Sequence, residues 1–84
     1  MIFSVKLHPK VQDFLEKRET GLAERIRNRL LLLQNNPFRI LEHYEGDCYK
    51  LRVGDYRALV DVDIGRKIVF IRIIDHRSRI YKRR

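Results

Sequence analysis

Apolar and polar residues alternate at the beginning of this chain and again through its second half, with helical stripes between. In Ile2–Leu7, Phe3, Val5 and Leu7 share one side and Ser4 and Lys6 the other, the period of a strand. His8-Pro9 breaks it, and Pro9 suits the first turn of a helix. Val11, Phe14 and Leu15 then fall at i, i+3 and i+4, predicting a short amphipathic helix that ends near Arg18. Gly21 lies in the break, where Thr20 is placed to cap a second helix. Leu22, Ile26, Leu30 and Leu33 form one stripe and predict a helix over Leu22–Gln34, with Arg25, Arg27 and Arg29 off that stripe. The run Leu30–Leu33 is wider than one stripe needs. Either both sides of this helix are covered, or Leu31 and Leu32 leave an apolar patch for a partner. Asn35-Asn36-Pro37 ends the helix.

From Arg39 the period changes to two. Arg39–Tyr44 has weak strand character, and Glu45-Gly46-Asp47 reads as a turn. Cys48–Val53 alternates Tyr49, Leu51 and Val53 against Cys48, Lys50 and Arg52, and Gly54-Asp55 is a two-residue hairpin signal. Tyr56–Val62 sets Tyr56, Ala58, Val60 and Val62 against Arg57, Leu59 and Asp61. A turn around Asp63–Arg66 leads to Lys67–Ile74, the most apolar strand. The predicted class is α+β, in the order β-α-α-β-β-β with Arg39–Tyr44 as an additional short strand. An N-terminal strand and an antiparallel helix hairpin precede a C-terminal antiparallel meander packed on the helices, one domain over residues 1–84.

Composition narrows the function classes. With 84 residues and 44% hydrophobic, the chain has enough apolar side chains for one core and little room for a second. Cys48 stands alone, and His8, His43 and His76 show no metal-ligand spacing, so neither a disulfide, a metal nor another cofactor is expected. The first residues are too few and too polar for a signal peptide and no run approaches a membrane span, which predicts a cytoplasmic protein without membrane contact. Nineteen Lys and Arg stand against eleven acidic residues, a formal net charge of +8. That excess on so small a body attracts polyanions, nucleic acid first and an acidic protein second. Dense charge of both signs also serves solubility or heat stability.

Strand parity makes the charge argument local. Residues two apart share a face, so if Tyr49, Leu51 and Val53 meet the helices, Lys50 and Arg52 point away. The same reasoning sends Arg57 away with them. In the last strand Val69, Ile71 and Ile73 serve the core and Arg72 joins the open face beside Phe70. The stretch DHRSRIY, Asp75 to Tyr81, then places His76, Arg77, Arg79 and Tyr81 at the rim of that face. Four cations on one sheet face form an electrostatic seat for a phosphodiester. Each residue also has a plainer reading: Arg57 pairs with Asp61, Tyr81 is a core aromatic, and the terminal Lys82, Arg83 and Arg84 are a solvated tail.

The segments DCYKLRVGDYRALVDVD and DHRSRIY, with an apolar strand between them, resemble the RelE/ParE superfamily of toxin–antitoxin toxins. With the N-terminal strand and helices, the resemblance spans nearly the whole chain. In the RelE branch it implies a microbial RNase fold and a metal-independent mRNA endonuclease acting in the ribosomal A site, silenced by an antitoxin. The resemblance carries catalytic positions onto Lys50, Arg52, Arg57, Arg77 and Tyr81. It implies attack of an RNA 2′-hydroxyl on its adjacent phosphate, with Arg57 and Lys50 neutralising the dianion, Arg77 at the leaving oxygen and Tyr81 on a nucleobase. Arg72, Arg79, Lys82, Arg83 and Arg84 would add general attraction to RNA. The RelE pattern has lysine where Arg52 stands. Guanidinium is a poor proton acceptor, which makes His76, an imidazole nearby, a candidate general base. The implied partners are a RelB-like antitoxin and a ribosome with mRNA in its A site. Two alternatives stay open: a ParE-like inhibitor of DNA gyrase without RNase activity, and a non-enzymatic basic binding module.

Overall fold

The alternation of Phe3, Val5 and Leu7 produces a short first strand, β1 (Ser4–Leu7), followed at once by α1 (Pro9–Glu16). The computed structural model describes residues 2–82. His8 caps α1, its Nδ1 accepting the Lys10 N–H at 3.1 Å, and Pro9 occupies the first turn, where no N–H is needed. Val11 and Leu15 are buried. The second helix, α2, spans Thr20–Leu31, so Thr20 is its first residue rather than its cap; Glu19 holds the cap position without a side-chain hydrogen bond. A 3₁₀ turn, Leu32–Gln34, continues it. The tighter winding keeps Leu30 and Leu33 on one buried face, while Leu31 and Leu32 are half exposed. After a second 3₁₀ turn at Pro37–Arg39 come β2 (Glu42–Glu45), β3 (Cys48–Val53), β4 (Tyr56–Asp63) and β5 (Ile68–His76), and a last 3₁₀ turn at Ile80–Lys82.

The strands form one sheet in the order β1-β5-β4-β3-β2. β2 to β5 are an antiparallel meander, and β1 pairs with β5 in parallel. Parallel neighbours need a long connection, and the helices fall within it. The main core lies between helices and sheet, where Val11, Leu15, Ile26, Leu30 and Leu33 meet Leu51, Val53, Ala58, Val60, Val62, Val69, Ile71 and Ile74. Among the described residues no helix is long and apolar enough to cross a membrane.

One irregularity changes the expected parity. Leu59 pairs with Ile73 and Val60 with Ile71, so Arg72 is an extra residue in β5. Beyond this bulge the faces exchange. Ile74, opposite Ala58, enters the main core, and Ile73, opposite Leu59, turns to the other face, correcting the placement of Ile73 in the core. β5 also runs two residues past the expected end at Ile74, so Asp75 and His76 are strand residues.

A cationic sheet face as the candidate functional site

The face turned away from the helices is organised in rows across β3, β4 and β5. Nearest the β3–β4 turn, Arg52 stands opposite Arg57, and Arg57 opposite Asp75. In the next row lie Glu42, Lys50, Leu59 and Ile73, and beyond it Cys48, Asp61 and Phe70. Lys50, Arg52 and Arg57 therefore share the face that alternation predicts. Glu42 lies between the first two, 3.7 Å from Lys50 Nζ and 3.0 Å from Arg52 Nε. Arg57 turns toward the hairpin, donating from Nη1 to the carbonyls of Gly54 and Tyr56, each at 2.8 Å. Its expected partner Asp61 pairs instead with Arg72, at 3.5 Å. Like charges directly opposite one another destabilise a sheet. Arg57 has Asp75 opposite it on its other side, so the Arg52–Arg57 pair is the part of this row that runs against the rule.

The chain after β5 folds back over this face. Asp75, buried, accepts the His76 N–H at 2.7 Å and holds Arg79 at 3.3 Å. The Arg77 N–H donates to the Asp55 carbonyl at 2.8 Å, and Arg77 Nε lies 4.0 Å from the Asp55 carboxylate. Ile80 is then fully buried in a second apolar cluster with Cys48, Leu59, Ile73 and Tyr44. Burying such a side chain is worth about 1.5–3 kcal/mol, enough to fix the direction of a short terminal turn. The next residue is Tyr81. Its ring stacks obliquely on Tyr44, 5.3 Å between centroids and 30° between planes, and Lys50 Nζ lies 5.7 Å from its centroid.

Other expected residues lie further away. Arg72 is on the same face but across the apolar seat, held by Asp61 and 3.7 Å from Cys48 Sγ. Arg79 is engaged with Asp75, and Lys82 is exposed in the final turn. Arg83 and Arg84 lie outside the described residues. His76 does not join the cations. The bulge at Arg72 sets it opposite Tyr56, on the helix side, where the two rings meet edge to face at 5.7 Å and Tyr56 in turn meets Phe14. Its Nδ1 lies 2.9 Å from Ser78 Oγ and accepts the Ser78 N–H at 3.3 Å. Periodicity also missed Glu42 and Tyr44. They are two apart on the weak strand, and a register shift between His43 and Glu45 leaves Tyr44 on the site face. Their spacing beside a cationic strand was the available signal.

The family model for the ParE toxin of type II toxin–antitoxin systems, parDE, matches residues 5–81. The fold also matches solved toxin structures. Against the RelBE2 toxin–antitoxin complex of Mycobacterium tuberculosis the TM-score is 0.81 at 20% identity, covering 90% of this chain and 99% of that one. Against the archaeal RelE–RelB complex of Pyrococcus horikoshii it is 0.79 at 26% identity, covering 94% and 99%. Against a free-state mutant of E. coli RelE it is 0.76 at 20% identity, covering 98% and 93%. With a family model matched over nearly its full length and this sheet topology, the chain belongs to the ParE toxin family of type II toxin–antitoxin systems, within the RelE/ParE superfamily.

Proposed function

We propose that this toxin is a metal-independent endoribonuclease that cuts mRNA in the ribosomal A site and so stops translation. The observation that carries the reading is the row of Arg52 opposite Arg57 with Lys50 and Tyr81 beside it, a cationic seat with an aromatic wall. Attack of a 2′-oxygen on the adjacent phosphorus forms one P–O bond and breaks the bond to the 5′-oxygen, leaving a 2′,3′-cyclic phosphate and a 5′-hydroxyl. The charge that builds on the phosphorus oxygens is met by the cations of this face. Arg57 and Arg52 offer planar forks that match two phosphate oxygens, and Lys50 adds a compact charge. Arg77 stabilises the leaving 5′-oxygen, which takes its proton from solvent water, and Tyr81 stacks on a base.

His76 has no part in this scheme, because its ring is on the helix side. Of the carboxylates on this face, Asp61 is held by Arg72 and buried Asp75 by Arg79, and Glu42, beside Lys50 and Arg52, is the proton acceptor in this scheme. Its carboxylate lies between Lys50 and Arg52, and a phosphate that draws those cations to itself frees it to take the 2′ proton. In the resting toxin the expected guard is a RelB-like antitoxin, whose acidic segment folds onto the cationic face. The matching structures from M. tuberculosis and P. horikoshii are a RelBE2 toxin–antitoxin complex and a RelE–RelB complex.

The test is to incubate purified toxin with translating ribosomes and map the mRNA ends. A-site cuts ending in cyclic phosphate support the proposal. The second reading, a gyrase inhibitor, is favoured by the ParE identity of the matching family model. Intact mRNA together with blocked supercoiling by gyrase would establish it instead, and absence of both effects would leave a binding module.

A further inference from the structure

Three arginines from three separate elements meet at the two-residue turn between β3 and β4. Arg57 of β4 donates to the Gly54 carbonyl at 2.8 Å. Arg77, beyond β5, donates its backbone N–H to the Asp55 carbonyl at 2.8 Å. Arg25 arrives from α2, and its Nη2 is 2.5 Å from the point where a Cβ on Gly54 would stand. Gly54 also has φ of 58°, the left-handed region. Two separate conditions, backbone geometry and the space Arg25 occupies, ask for glycine here.

Arg52, opposite Arg57, brings a fourth guanidinium to this end of the sheet. The turn itself supplies one carboxylate, Asp55, exposed and 4.0 Å from Arg77. Among the described residues Arg25 forms no ion pair. Cations gathered this closely repel one another, and an anion placed among them relieves the repulsion. An RNA strand carries a phosphate at every nucleotide. A strand whose reacting phosphate sits at Lys50, Arg52 and Arg57 and that crosses the turn brings its next phosphate to Arg25.

We infer that Arg25 forms a second phosphate subsite. The RNA backbone crosses the Gly54-Asp55 turn, with one phosphate held by Lys50, Arg52 and Arg57 and its neighbour by Arg25 with Arg77. This rests on reading the cationic face as an RNA site, and it extends that site from the open face of the sheet to α2.

The test uses the purified full chain and a short single-stranded RNA methylated at every 2′-oxygen, so that binding is measured without cleavage. Affinity is followed by fluorescence anisotropy as a function of salt. Losing one phosphate contact lowers the slope of log affinity against log salt by about 0.7 for a single strand. Arg25→Gln should show that loss and Arg25→Lys should restore the slope. Arg66→Gln, at the β4–β5 turn where Arg66 pairs with Asp63, should leave it unchanged. Arg25 is exposed, so its replacement should not alter the fold, which a thermal melt checks. An unchanged slope for Arg25→Gln overturns the inference, as does a loss confined to binding an acidic antitoxin peptide. A lowered slope in a protein that cuts no mRNA keeps the subsite and removes the nuclease reading. Absence of any RNA binding by the wild type overturns the subsite, and A-site cuts on translating ribosomes then keep the nuclease reading.

Discussion

Arg52 and Arg57 stand directly opposite one another on adjacent strands, and each is restrained separately, Arg52 by Glu42 and Arg57 by the carbonyls of Gly54 and Tyr56. A sheet gains nothing from two guanidinium groups at one cross-strand position, and such pairs disfavour it by about 0.2–1 kcal/mol. The Arg52–Glu42 ion pair is exposed on both sides and offsets little of this. Arg52→Gln should therefore leave stability equal or raise it by about 0.5 kcal/mol in urea unfolding. The same variant should reduce mRNA cleavage by about 100-fold, the loss expected for one donor to a developing oxyanion. A variant that is both less stable and fully active would show that the pair serves the fold.

Ile80 governs where Tyr81 lies. It is fully buried while Tyr81 beside it is exposed, so the apolar cluster sets the position of the aromatic wall. Ile80→Val should destabilise by about 0.5–1.5 kcal/mol and keep cleavage, whereas Ile80→Ala should cost about 2–5 kcal/mol. On the proposed nuclease reading, KM for mRNA should rise in Ile80→Ala, measured below its melting temperature. Equal KM values in the two variants would sever Ile80 from the site.

Tyr44 supports Tyr81 by ring contact, 5.3 Å between centroids. Stacking of a base on an aromatic side chain is worth about 1–3 kcal/mol, and only part of that depends on the supporting ring. Tyr44→Ala should raise KM about threefold to tenfold with kcat little changed, within that range. Tyr44→Phe keeps the ring that meets Tyr81 and should hold KM closer to wild type than Tyr44→Ala does. A fall in kcat alone would point to a role in the chemical step.

His76→Ala separates the two candidate proton acceptors. Its ring packs on Tyr56 and its Nδ1 serves Ser78, so the variant should lose about 1 kcal/mol of stability and keep its cleavage rate within a few-fold. Glu42→Gln should stop cleavage while RNA binding persists. If His76→Ala is inactive and folded, the helix-side imidazole reaches the substrate after all and Glu42 is not the acceptor.

Much of this arrangement was legible along the chain. The alternation in Cys48–Val53 and in the following strand assigned Lys50, Arg52 and Arg57 to one face, because side-chain direction in a regular strand depends on residue parity alone. The helix stripe named Ile26, Leu30 and Leu33, all buried. Parity failed in β5, where the same reasoning placed Ile73 in the core. The extra residue at Arg72 appears only when β5 is registered against β4, and it exchanges the faces of Ile73, Asp75 and His76 at once. Glu42 and Tyr44 were hidden for a different reason, since their short strand carries little apolar signal to set its face.

Local pattern was thus sufficient for the class of the fold, the buried stripe of each helix and the cations of the two regular strands. These depend on periods of two and 3.6 that any stretch of chain carries within itself. The partnership of β1 with β5, the bulge at Arg72, the seat of Ile80 and the meeting of Arg25 with Gly54 were decided by tertiary structure. Each joins residues distant in sequence through backbone pairing or close packing. Those contacts place Tyr81 beside Lys50 and turn His76 to the opposite side.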